Sequence, residues 1–299
     1  MHGQAKTVST FSDSELGWIK LNSAVQKVRI AAAFRAFRSH GIEPILIKGW
    51  TVGRLYPPES PRHSADVDIA VSGEDFERAL RLVSDSDCLQ LNIDLHRCFR
   101  HFDRRPWASL FDCSELVELE NTPVRILSAE DNLRIVCGHW LNDGGANRDR
   151  LWDIYYSVEK RPANFDWDKC LNAAGPERRS WVIYAIAMAH EYMGLNIDEL
   201  PFRHEARAFP DWMRRTVEEE WEKGVPLRNL RTCFGDWRML LAQIRKRLPP
   251  NPIQATIEMG KSLDDPRRRY FQVRTLLRRA ASSAGKVKYH FIPRENQRI

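Results

Sequence analysis

A chain of 299 residues, 43% of them apolar, is long enough to bury a sizeable core and suggests about two domains. It has no run of roughly 18 apolar residues, which excludes a membrane-spanning helix, and the polar stretch Met1 to Ser14 lacks the apolar segment of a secretory signal. The net charge of +6 sits at one end: Lys261 to Ile299 holds eleven Lys or Arg against three acidic residues, a balance of +8, and the rest holds 35 against 37, a balance of −2. Such a tail is either a solvated helix face with a loose end or a contact for an acidic or phosphate-rich partner. Six scattered cysteines with no Cys-x-x-Cys pair argue against a disulfide framework and against structural zinc. They fit reduced thiols in a cytoplasmic protein.

In chain order, the spacing of Leu21, Val25, Val28, Ile30, Phe34 and Phe37 predicts an amphipathic helix over 20–40, ended by Gly41. Ile45-Leu46-Ile47 reads as a buried strand, and Trp50 to Tyr56 as one or two helical turns stopped by Pro57-Pro58. Asp66 to Val71 alternates as a strand, 75–83 as a helix and Leu89 to Leu95 as another strand. One or two more strands fall in 116–126, with Pro123 in or beside a turn. After Leu127 the character changes. Ser128-Ala129-Glu130-Asp131 is an N-cap with an acidic first turn, opening a helix through Trp140. Further helices are expected at 148–158, 166–173, 176–194, 211–223, 235–248 and 267–281. The division is thus an α/β domain over 1–127 and a helical domain with a basic tail over 128–299.

Residues two apart on a strand share a face. Asp66 and Asp68 therefore project together, opposite Val67, Ile69 and Val71, and in the later strand Asn92, Asp94 and His96 share one face. If the strands are neighbours, Asp66, Asp68 and Asp94 converge. Carboxylates that close repel unless a cation lies between them. Mg²⁺ (or Mn²⁺) suits such a set, leaving positions for water and phosphate, and phosphoryl transfer depends mainly on positioning and charge neutralisation. Upstream, Lys48-Gly49 ends a strand before a short helix, where Gly49 lets a triphosphate approach the backbone. Arg62 and His63 lie in the loop before Asp66, within reach of phosphate or nucleobase. Taken singly these features are weak: Asp-x-Asp is common on solvated strand edges, and Lys48 and Arg62 suit exposed positions. His96 reads as a substrate or supporting contact rather than a metal ligand, because Mg²⁺ prefers oxygen.

The run Leu46-Ile47-Lys48-Gly49, Leu55-Tyr56-Pro57, Arg62, Asp66-Val67-Asp68-Ile69 and Ile93-Asp94-Leu95-His96 resembles a bacterial family described as uncharacterised nucleotidyltransferases, within the polymerase β-like superfamily. Ser128 to Leu133, with His139 and Arg150 to Asp153, is similar to that family's helical half. The resemblance implies an α/β (α+β) fold: a small mixed sheet with flanking helices, followed by a mostly helical part. It further implies NTP as substrate, a divalent metal on Asp66, Asp68 and Asp94, and transfer of a nucleoside monophosphate to a protein or peptide, a sugar or an RNA end. A bulky Trp50 follows Gly49 where the superfamily usually has Gly or Ser. Two other readings use the same residues. One is a glycosyltransferase holding a nucleotide-sugar through Mn²⁺ on Asp66 and Asp68. The other is a non-catalytic module that holds nucleic acid or a partner protein through the basic tail.

Overall fold

The computed structural model describes residues 13–62, 66–84, 90–99, 102–224, 230–233 and 235–290. Two compact units divide the chain: Met1–Trp140 with Asn147–Phe209, and Leu141–Ala146 with Pro210–Ile299. The first carries a five-stranded mixed sheet in the order β3-β2-β1-β5-β4. The strands are β1 (Ile45–Leu46), β2 (Val67–Val71), β3 (Ile93–Arg97), β4 (Glu115–Leu119) and β5 (Thr122–Ile126). β2 runs parallel to β3 and antiparallel to β1, β1 is parallel to β5, and β4 and β5 form a hairpin.

Alternation explains both faces of the sheet. Leu46, Val67, Ile69, Val71, Val124 and Ile126 pack on one side against Ile30, Phe34 and Phe37 of helix α1 (Asp13–Ser39). Ile45, Ile47 and Ala70 lie on the other, against Phe99, Leu110 and Ile135. Ile135 belongs to helix α5 (Ala129–Asn142), and Leu110 to helix α4 (Trp107–Asp112). Two short helices flank β2: α2 (Gly49–Gly53) before it and α3 (Phe76–Val83) after it. Helices α6 (Leu151–Glu159), α7 (Trp167–Asn172), α8 (Pro176–Met193) and α9 (Arg203–Arg207) complete the unit. The change at Leu127 is therefore one from strands to helices, and α6 to α9 belong to the unit that holds the sheet.

Pro123, expected in or beside a turn, is the second residue of β5. It fits because short β1 pairs with β5 only at Leu46 and Ile126, so no neighbour asks Pro123 for an N–H. The second unit holds α10 (Asp211–Lys223), α11 (Trp237–Arg247), α12 (Pro252–Glu258) and α13 (Arg268–His290). In it Glu258 pairs with Arg278 and Arg279, so part of the basic tail is neutralised internally. Among the described residues no helix is long and apolar enough to cross a membrane.

A buried charge cluster ties the segment before α4 to α5. Asp103, 1% exposed, accepts from Arg105 at 2.8 Å and Arg134 at 3.0 Å, and Asp131 pairs with Arg105 at 2.7 Å and also with Arg134. Burial pushes the Asp103 carboxyl up, but the Arg105 hydrogen bond and the Arg134 charge prevail and hold it below the usual range. The folded chain thus binds this proton less readily than the unfolded chain. The stabilisation is present above the ordinary carboxylate range, near pH 4, and is lost as pH falls through the lowered value. Melting temperature should accordingly fall on acidification below about pH 4, with a shallower slope in Asp103→Asn. Equal slopes in the two proteins would contradict this assignment.

Candidate active site

The parallel register of β2 and β3 sets Asp68 directly opposite Asp94 and Ala70 opposite His96. Both carboxylates therefore share a face, and alanine at 70 leaves room for the His96 ring. His96 Nε2 lies 3.2 Å from Asp68 Oδ1 and 3.1 Å from Asp94 Oδ2. Lys48 Nζ reaches the same Asp68 oxygen at 2.9 Å. One ligand atom from each of Asp68, Asp94 and His96 falls within 4.8 Å of the others. Asp68 is largely buried, whereas the Asp94 side chain is 53% exposed, so the group has a closed end and an open end.

Two opposing effects act on Asp68. Burial raises its pKa, but hydrogen bonding to His96 and the Lys48 charge outweigh it and hold the carboxyl below its usual range. Burial draws the His96 imidazole down, while hydrogen bonds to Asp68 and Asp94 overcome this and raise it. The pair of aspartates thus collects positive charge from its surroundings.

Lys48 has φ 54° and ψ −146°, a region that residues with a Cβ rarely enter. Such a conformation costs on the order of 1–3 kcal/mol and persists only where surrounding contacts fix it. Here the Asp68 pair holds the ammonium, while the Thr51 amide and hydroxyl both bind the Lys48 carbonyl, at 2.8 and 2.6 Å.

Lys48, Asp68 and Asp94 line a cavity of about 170 Å³ together with Arg62, Asp66, Arg150 and Asp153 and with Val52, Val136, His139 and Trp140. Asp66 precedes β2 and is exposed; its carbonyl accepts from Gln26 on α1 at 3.0 Å. It borders the cavity but stands outside the Asp68–Asp94–His96 group. Gly49 opens α2 with φ 43° and lines a neighbouring cavity instead. Trp50 does not line this cavity: it packs against the core cluster beneath α1 and borders that same neighbouring cavity. His63 lies outside the described residues.

Arg62, which by sequence suits an exposed loop position, is buried against Asp153. Arg62 Nε and Nη2 bind Asp153 Oδ1 and Oδ2 at 2.6 and 3.0 Å, and the Tyr56 hydroxyl donates to Asp153 Oδ1 at 2.6 Å. Both members of this ion pair are 7% exposed. Arg150, one helical turn before Asp153, approaches its Oδ2 at 3.4 Å, so this local i,i+3 contact is the weaker one. Burial and the adjacent Asp153 carboxylate push the Tyr56 phenol far above its ordinary range, leaving it a permanent donor.

The family model described as an uncharacterised nucleotidyltransferase matches residues 13–194. The chain belongs to this nucleotidyltransferase family. The matched span takes in all of the sheet and α1 to α8, and with them every residue that lines the cavity beside Asp68 and Asp94. A crystal structure of an antigenic nucleotidyltransferase-like protein from Paracoccidioides brasiliensis is similar at TM-score 0.43 and 12% identity, over 62% of this chain and 94% of that one. Among curated proteins none matches the chain.

Proposed function

We propose that this nucleotidyltransferase family member moves a nucleoside monophosphate from an NTP to an acceptor hydroxyl, releasing pyrophosphate, with a divalent metal held by Asp68 and Asp94. The observation that carries the reading is the register of two aspartates on adjacent parallel strands, inside a cavity bordered by Lys48, Arg62 and Arg150. The donor set suits a divalent cation: two carboxylates and an imidazole lie close enough to share one ion, and the nitrogen donor suits Mn²⁺ as well as Mg²⁺. When bound, the metal would neutralise phosphate charge and acidify an attacking hydroxyl. Asp66, at the cavity edge, would complete the carboxylate set.

The protein's own groups divide the remaining work. Lys48 and Arg62 face the triphosphate, Arg62 as a fixed fork already aligned by Asp153. Asp94, at the open end, faces an incoming acceptor and takes its proton. His96 holds both carboxylates in place from below and can add its nitrogen to the metal. The acceptor is a protein, peptide, sugar or RNA hydroxyl, and the protein works in the cytoplasm.

The test is incubation with each α-labelled NTP, Mg²⁺ or Mn²⁺ and candidate acceptors. Label transfer that requires metal supports the reading; transfer that persists in chelator sinks it. Asp94→Asn should lower kcat by roughly 10²–10³-fold with little change in melting temperature, because the side chain is half exposed. A glycosyltransferase that used only Asp66 and Asp68 would keep its activity in this variant.

A further inference from the structure

The catalytic cavity, at about 170 Å³, lies below the roughly 300 Å³ at which small-molecule pockets begin, so a whole nucleotide extends beyond it. A second cavity, of about 310 Å³, adjoins it and shares Arg62 as a wall. Gly49, next in the chain to Lys48, also borders it. Its lining differs from that of the first: it holds no carboxylate among the described residues, while Trp50, Tyr56 and the prolines Pro57, Pro58 and Pro61 supply rings, and Ser23 and Lys27 of α1 with Arg54 add hydrogen-bond donors. Within one unit, a carboxylate-bearing cavity thus meets one that lacks carboxylates and is walled partly by rings, across the shared Arg62. A nucleotide has the same division between its phosphates and its base.

Two further features favour a planar ligand. Trp50 is half-buried, packed against the core cluster, and no other aromatic ring stacks on it among the described residues. It can therefore offer a ring at little entropic cost. Tyr56 is fixed by its bond to Asp153 and by Tyr156, whose ring centroid lies 4.5 Å away, so this part of the wall is rigid. The tryptophan that stands where a small residue is usual leaves the triphosphate path open and supplies a wall of the next cavity.

We propose that the cavity between α1, α2 and the Pro57–Pro61 loop is the nucleobase site, with Trp50 as its stacking residue. The proposal rests on the catalytic reading above, because it assumes that the triphosphate occupies the neighbouring cavity.

The test measures equilibrium binding of ATP, GTP, CTP, UTP and inorganic tripolyphosphate in Mg²⁺, to the full chain and to Trp50→Ala and Trp50→Phe. At least one NTP should bind the wild type about tenfold or more tighter than tripolyphosphate, the worth of one stacked base. Trp50→Ala should remove that difference without weakening tripolyphosphate, and Trp50→Phe should restore part of it. Photolabelling of the wild type with 8-azido-ATP, which needs no variant to fold, should place label in residues 23–27 or 49–58. NTPs that bind no tighter than tripolyphosphate, an unchanged difference in Trp50→Ala, or label confined to other segments would overturn the base site and leave the catalytic reading intact. Failure of tripolyphosphate and all four NTPs to bind would overturn both.

Discussion

Asp68→Asn is expected to reduce nucleotidyl transfer by about 10³-fold or more, while the purified protein stays folded. The size follows from what the residue touches. Asp68 is the buried member of the aspartate pair, contacted at once by Lys48 and His96. Its replacement removes a ligand of the proposed metal, and it also releases the ammonium group of Lys48, whose backbone is strained. Loss of activity should appear in kcat, because both effects bear on charge that develops in the transition state. The control is Lys48→Met, which keeps the aspartates and removes the cation. Its loss should be smaller at saturating metal and larger at low NTP. An Asp68→Asn protein with a tenth or more of wild-type kcat would remove Asp68 from the reaction.

Asp153→Ala should be the most destabilising substitution around the cavity, at about 3–5 kcal/mol. The aspartate is 7% exposed and accepts from Arg62 and Tyr56, which lie 91 and 97 residues away in sequence. Much of the loss is the penalty of leaving Arg62 buried without a counter-charge, since a well-buried pair is often worth little net until one partner is removed. In a domain of this size that corresponds to a fall in melting temperature of roughly 10 °C. The Michaelis constant for NTP should rise as well, because Arg62 loses the fork that orients it. Asp153→Asn keeps two acceptor sites on one oxygen and should cost less. A shift of under a degree in Asp153→Ala would show that the Arg62–Asp153–Tyr56 network does not hold this wall of the site.

Much of this arrangement is written in local pattern. Val67, Ile69 and Val71 alternate with Asp68 and Ala70, and that period alone assigns the carboxylate to the face away from the α1 core. Asp94 and His96 follow by the same rule. Other features depend on contacts that no local window contains. That Asp68 faces Asp94 is a matter of register between two strands, set by the packing of both faces rather than by either sequence. The expected strand 89–95 is observed as 93–97, because its start depends on which residues meet β2. Asp153 looks from sequence like half of a helical i,i+3 pair. Only the fold brings Tyr56 and Arg62 to it. Helix α4 (Trp107–Asp112) has no sequence signature of its own since six residues show too little of a helical period, although Pro106 directly before it is a usable start signal. The placement of Trp50 likewise follows from the direction in which α2 leaves β1, which residue size alone does not reveal.

The central claim is that Asp68 and Asp94 hold a divalent metal beside the triphosphate, and titration of Mn²⁺ followed by its electron paramagnetic resonance signal tests it directly. With NTP present, the wild-type protein should bind Mn²⁺ saturably, and Asp68→Asn should weaken that binding by about tenfold or more, as expected for loss of a charged ligand. Equal Mn²⁺ affinity in the two proteins would contradict the account.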